Sequence, residues 1–216
     1  MTEQTNPRDL FRAAYENRYT WDSNFPGYRA ELQVKQGEET YTGQIHIKGD
    51  LSVEVSGIDN EEVQQSVYTQ LRDIVTHRKR SKFEEAHGKN SFSAGESDET
   101  DAIEILVKGD AMGSNYKIRG TEICQVSRVM GRMAFTIDTA ESLNTGEGYV
   151  ATRYHVVFRN AQTNDLIREL DFEDTYEKFG DYYLMTHQVI HSKENDTVTS
   201  TEFKFSSIKL LEPATV

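Results

Sequence analysis

Residues 27–49, "GYRAELQVKQGEETYTGQIHIKG", decide the fold class. Ala30, Leu32 and Val34 alternate with Arg29, Glu31, Gln33 and Lys35. Beyond Gly37, the residues Tyr41, Gly43, Ile45 and Ile47 alternate with Thr42, Gln44, His46 and Lys48. A period of two sends apolar side chains to one face and polar ones to the other, the mark of a strand with one buried and one wet side. Gly37 gives the connection the backbone freedom of a tight turn, and strands joined in this way pair antiparallel. Similar runs at 51–55, 102–107, 116–128, 133–138, 149–159, 166–172, 182–191 and 199–211 extend the pattern into a meander of about nine to eleven strands.

Two helical segments interrupt the meander. The first, over about 6–20, opens with Asn6 as N-cap and Pro7 at the first helical position, where a missing N–H costs nothing. The second, over about 59–77, opens with Asp59 and Glu62 in the spacing of a capping box. Its apolar residues Val63, Val67, Leu71, Ile74 and Val75 form one stripe, with Gln64, Gln65, Thr69, Arg72 and Asp73 turned away. Both helices are amphipathic and need an apolar surface, which only the sheet provides. The expected architecture is therefore mainly β (α+β): a large curved antiparallel sheet, an incomplete barrel, with two amphipathic helices on its concave face.

The chain has 216 residues, 36% of them hydrophobic, and no break in composition, so a single domain over 1–216 is expected. A formal charge of -12 repels phosphate backbones and argues against nucleic acid as a partner. The single cysteine, Cys124, allows no internal disulfide and reads as a small buried residue. The first residues show neither a basic region nor the apolar core of a signal peptide, and no apolar run approaches membrane-spanning length. A cytoplasmic protein that does not span a membrane is the expectation.

Phe11, Tyr15 and Tyr19 recur every four residues in the first helical segment, and Trp21, the only tryptophan, follows. Such rings either fill the core between helix and sheet or wall an apolar pocket at that seam. The pocket reading names Phe11, Tyr15, Tyr19 and Trp21, with Val67, Leu71 and Val75 of the second helix, as cavity wall. Arg78, Lys79 and Arg80, in the basic cluster "HRKRSK" (77–82), would form its rim and meet an anionic head group or a partner protein. The same cations also suit the C-terminal end of a helix dipole.

The order helix, three strands, helix and long meander resembles the LolA-like half-barrel of the bacterial lipoprotein carriers, whose sheet cups lipid chains beneath helical lids. Locally, "LFRAAYENRYTWDSNFPGYRAEL" (10–32) and "HRKRSKFEEAHGKNSF" (77–92) are similar to a cyanobacterial and plastid family of about this length, a domain of unknown function. The first resemblance implies a carrier fold. The second implies no activity or site residues.

Other constellations carry less. His187 and His191 have metal-binding spacing for a helix, but "YYLMTHQVIHS" alternates like a strand, where four residues span roughly 13 Å. His46, His77, His87 and His155 fall in separate elements and read as exposed or singly hydrogen-bonded imidazoles. The segment 171–183 interleaves Asp171, Glu173, Asp174, Glu177 and Asp181 with Phe172, Tyr176, Phe179, Tyr182 and Tyr183, a composition suited either to acid–base work or to a charged hairpin end with aromatic feet. Residues 87–101 read as a solvated turn or flap.

No catalytic residue, metal ligand or cofactor is assigned. The expected function is a noncatalytic intracellular binding or carrier protein for a hydrophobic ligand such as a lipid or pigment. The alternatives are a protein-interaction or assembly factor with a fully packed core, and an enzyme using 171–183.

Overall fold

The computed structural model describes residues 6–109, 114–195 and 197–212. In chain order the elements are α1 (Pro7–Glu16), β1 (Gly27–Gln36), β2 (Glu39–Lys48), β3 (Val53–Ser56), α2 (Glu61–Arg78), α3 (Phe83–His87), β4 (Ser91–Ser97), β5 (Ile103–Lys108), β6 (Ser114–Arg119), β7 (Glu122–Met130), β8 (Met133–Asn144), β9 (Tyr149–Asn160), β10 (Leu166–Phe179), β11 (Tyr182–Glu194) and β12 (Thr197–Leu210). The strands form one antiparallel sheet in the order β3-β2-β1-β12-β11-β10-β9-β8-β7-β6-β5-β4. The mainly β, antiparallel class read from 27–49 is the class observed.

The chain contacts divide it into two compact units. The first holds the chain up to Tyr19, Ser81–Phe172 and Ser192–Val198. The second holds Thr20–Arg80, Glu173–His191 and the chain from Thr199.

In the second unit the register explains the core. Val34 lies opposite both Tyr41 and Phe203, Leu32 opposite Phe205, and Ala30 opposite Ile45. Directly opposed residues of antiparallel strands point to the same side, so these apolar sets merge into one buried layer. α2 packs on β3, pinned by Gln64 Nε2 donating to the Val55 carbonyl at 2.8 Å, with Val63, Val67, Leu71, Ile74 and Val75 buried. In the first unit, α1 and α3 cover β4, β6 and β7 through a core of Phe11, Ala14, Tyr15, Phe83, Ile105, Val107, Tyr116 and Ile118.

Several expectations are corrected. The first helix ends at Glu16, not near residue 20. Tyr149 captures the chain there, accepting from the Tyr19 N–H at 2.7 Å and donating to the Asn17 carbonyl at 2.9 Å. The neighbouring Gly148 (φ +142°) is pressed so closely that a Cβ would sit 2.5 Å from the Asn17 oxygen. The cap of α2 is Asn60, not Asp59: its extended backbone lets Oδ1 accept from the Glu62 and Val63 N–H groups at 3.0 and 3.1 Å. The run 116–128 is two strands, because Gly120 (φ +59°) turns the chain between β6 and β7. Residues 91–97 are strand β4, paired with β5, rather than a turn or flap, and α3 lies just before it. These account for twelve strands where nine to eleven are expected.

Candidate functional site

The residues read as a cavity wall are all buried, and they fall in different units. In the first unit, Phe11 is wholly inaccessible. Its ring centroid lies 4.7 Å from Tyr116, 5.0 Å from His87, 5.3 Å from Phe92 and 6.2 Å from both Tyr15 and Phe83. Tyr15 caps this cluster with its hydroxyl 2.7 Å from the Ser81 hydroxyl. His87, 8% exposed, sits edge-on to both rings. Burial, helped by the positive charges of Arg18 and Arg128, pushes its pKa down to about 4, so the imidazole is neutral at physiological pH. Tyr19 is buried at its bond to Tyr149.

In the second unit, Trp21 stacks on Phe25 at 4.1 Å and 11°, its Nε1–H directed to the Tyr183 carbonyl at 3.3 Å. Val67, Leu71 and Val75 face the sheet from α2. The three cations read as a rim each have their own setting. Arg78 donates to the Tyr176 hydroxyl at 3.0 Å, Lys79 is exposed and ends α2, and Arg80 donates to the Thr20 hydroxyl at 3.1 Å.

The acidic and aromatic segment is mostly strand β10, and alternation sorts its members. Phe172, Asp174 and Tyr176 turn inward, while Asp171, Glu173 and Glu177 are exposed. Asp174 belongs to a buried relay under α2: Gln70 Nε2 donates to Gln188 Oε1 at 2.8 Å, and Gln188 Nε2 donates to Asp174 Oδ1 at 2.8 Å. The Tyr176 hydroxyl lies 3.4 Å from Asp174 Oδ2. Burial, then the Arg78 and Asp174 charges acting in opposite directions, leaves the Tyr176 phenol raised to about 12. This relay joins α2 to β10 and β11 with complementary donors and acceptors, which is what a structural clamp requires. Asp171 instead meets His155 Nδ1 at 2.7 Å in the first unit. Among the described residues, no group of three His, Cys, Asp or Glu side chains is placed to hold a metal ion.

A different surface stands out on β7 to β10 of the first unit. Register places Arg128 opposite Phe135, Met130 opposite Met133, and Phe135 opposite Phe158, all on the side that carries Tyr116 and its partner Val126. Arg168 lies 4.6 Å over the Phe158 ring, and Leu166, two residues earlier, shares its side. α1 covers the Tyr116 part of this face. Beyond it, Phe135 and Phe158 are half-buried, 6.1 Å apart, and Met130, Met133 and Leu166 are exposed. Composition and spacing do not mark these residues as a site; the signal in the sequence is the alternation of Met133, Phe135 and Ile137, which puts them on one face of β8. Beside Leu166 lies an open depression of about 190 Å³ lined also by Ile167, Glu169, Lys193 and Asn195. A second, of about 280 Å³, lies between Arg119, Cys124 and Ser142. None of the predicted wall residues lines either one.

A family model described as "Protein of unknown function (DUF3386)" matches residues 2–211. No curated protein matches the chain. Among solved structures, a candidate outer membrane lipoprotein-sorting protein domain from Vibrio parahaemolyticus aligns at a TM-score of 0.38 and 11% identity, covering 95% of this chain and 94% of that one. A LolA superfamily protein from Nitrosomonas europaea aligns at 0.27 and 6%, covering 96% and 94%. A DUF1329 family protein from Desulfovibrio piger aligns at 0.27 and 9%, covering 95% and 94%. These likenesses are too distant to bear on function, and the fold stands on the strand order itself.

Proposed function

The chain belongs to the DUF3386 family, and we propose that it is a noncatalytic binding protein that takes an apolar ligand, of lipid or pigment class, on the half-exposed face of β7 to β10 in its first unit. One observation supports this reading. The residues first read as a cavity wall are buried, whereas Met130, Met133, Phe135, Phe158 and Leu166 form a row that α1 leaves accessible. Apolar surface held in water is costly at roughly 25 cal/mol per Å², and a ligand laid along the row would recover that cost. Methionine suits such a surface because its unbranched thioether adapts to ligands of varied shape.

Native mass spectrometry of gently purified protein, before and after solvent extraction, tests the proposal. The expected result is added mass that extraction removes and that Phe135→Ser reduces. A bare chain mass with no uptake of added fatty acid overturns it. The packed state of the wall residues supports a second reading, an assembly factor that offers the same face to a protein. A retained polypeptide in place of a small molecule would select it.

A further inference from the structure

The same unit carries a second feature, at the ends of its strands. In the order β7-β8-β9-β10-β11-β12 each neighbour is antiparallel, so the β7–β8, β9–β10 and β11–β12 turns fall at one end of the sheet. The Ala161 N–H donates to the Arg132 carbonyl at 2.9 Å, which ties the first two turns side by side. Six of the large apolar side chains most exposed among the described residues gather at these turns: Val129, Met130, Met133, Leu166, Ile167 and Val198, each 38 to 67% accessible. They lie on both sides of the strands, Val129 and Ile167 opposite to Met130 and Leu166, so the apolar character belongs to the whole end and not to one face.

The charge at the first two of these turns also differs from that of the rest of the chain. The first two turns and the strand ends beside them carry Arg132, Arg159 and Arg168 against the single carboxylate of Asp165, on a chain whose formal charge is -12. Arg128 is turned away from the tip, its Nε buried and its Nη2 on the Tyr116 hydroxyl at 2.7 Å; Arg159 gives one N–H to the Asn164 carbonyl at 3.1 Å, and Arg168 lies on the Phe158 ring. These neutral partners leave the positive charges unneutralised. The third turn is acidic, since Lys193 lies 3.8 Å from Glu169 and is followed in the sequence by Glu194 and Asp196, so the positive charge belongs to the first two turns alone.

We infer that the first two of these turns dock the protein onto an anionic membrane surface, with the aliphatic tips entering the interface between head groups and acyl chains and the arginines meeting lipid phosphates. A lipid interface rewards this combination: apolar side chains sink a few ångströms while guanidinium groups pair bidentately with phosphate. The overall negative charge opposes approach only weakly, because repulsion beyond about 10 Å is screened at physiological salt. Two blunt tips tied side by side suit a broad, deformable surface better than an acidic peptide, which would need a groove between them. No helix among the described residues is long and apolar enough to cross a membrane, so the contact described is peripheral. This docking shares Met130, Met133 and Leu166 with the ligand row, but Val129 and Ile167, on the opposite side of the strands, and Arg132, in the first turn, belong to it alone, which makes the two separable.

Sedimentation of the full chain with phosphatidylcholine vesicles, alone or mixed with phosphatidylglycerol, tests the inference. Binding is expected to the mixed vesicles, weak or none to the neutral ones, and decreasing with added salt. Arg132→Gln should weaken it about fivefold. Val129→Asp combined with Ile167→Asp, at exposed positions outside the ligand row that leave the fold intact by circular dichroism, should weaken it at least about tenfold. Phe135→Ser, which tests the ligand row, should leave vesicle binding in place. Equal binding to both vesicle types, no binding to either, or binding unchanged in the folded tip variants overturns the inference. Capture of a soluble acidic peptide without vesicle binding would do the same, and would assign the end to a protein partner.

Discussion

Truncating Phe11 to alanine separates core packing from a cavity wall. The Phe11 ring is wholly inaccessible and lies within 6.2 Å, centroid to centroid, of Tyr15, Phe83, His87, Phe92 and Tyr116. Deleting a ring so enclosed removes its transfer free energy and leaves a void the neighbours only partly fill, a loss of about 3 to 5 kcal/mol. The edge-to-face contacts with Tyr116 and His87 place the expected value in the upper half of that range. With a urea m-value of about 2 to 3 kcal/mol per M, the unfolding midpoint should fall by between about 1.3 and 2.5 M. Far-UV circular dichroism is the suitable readout, because the sole tryptophan, Trp21, belongs to the other unit. Phe11→Leu, which retains most of the volume, should cost about 1 to 2 kcal/mol and keeps the test usable if the alanine variant does not fold. A loss below about 1 kcal/mol for Phe11→Ala at unchanged m would refute the packing, since a ring lining open space surrenders few contacts.

Two further predictions concern the first-unit histidine and the cap of α2. Folding holds His87 neutral with its pKa near 4, while the unfolded chain takes up a proton below the ordinary value of about 6.5. Stability is then complete above about pH 6.5 and declines as pH falls toward 4, by up to about 3 kcal/mol, and His87→Gln should flatten that slope in urea titrations made at pH 7 and pH 5. Asn60→Ala should cost about 1 kcal/mol in thermal or urea unfolding through loss of the bonds to Glu62 and Val63, whereas Asp59→Ala should change stability by a few tenths at most. The reverse ranking would restore the capping box read from sequence.

The errors in helix ends have a common origin. Phe11, Tyr15 and Tyr19 share a helical spacing, yet the helix ends before Tyr19 because Tyr149, over a hundred residues away, offers the backbone partners. Asp59 and Asn60 are both good caps, and only the entry angle of the chain chooses between them. Gly120 lies inside an otherwise continuous alternating run, so the split into β6 and β7 depends on a turn that periodicity does not mark. Within 171–183, alternation could have shown that Asp174 points opposite to Asp171 and Glu173. The partner it reaches, Gln188, comes from the next strand.

By itself the sequence determined what depends on side-chain direction along a short stretch: the alternating strands, the antiparallel order that their short turns impose, the apolar stripe of α2 and the Asn6–Pro7 start of α1. Tertiary structure alone decided which apolar faces are covered. Val34 and Phe135 both read as inward positions of an amphipathic strand, but Val34 lies between Tyr41 and Phe203 in a closed layer while Phe135 lies beyond the reach of α1. The physical reason is that periodicity is a local property of the backbone, whereas burial is set by whichever distant segment the folded chain brings to that face.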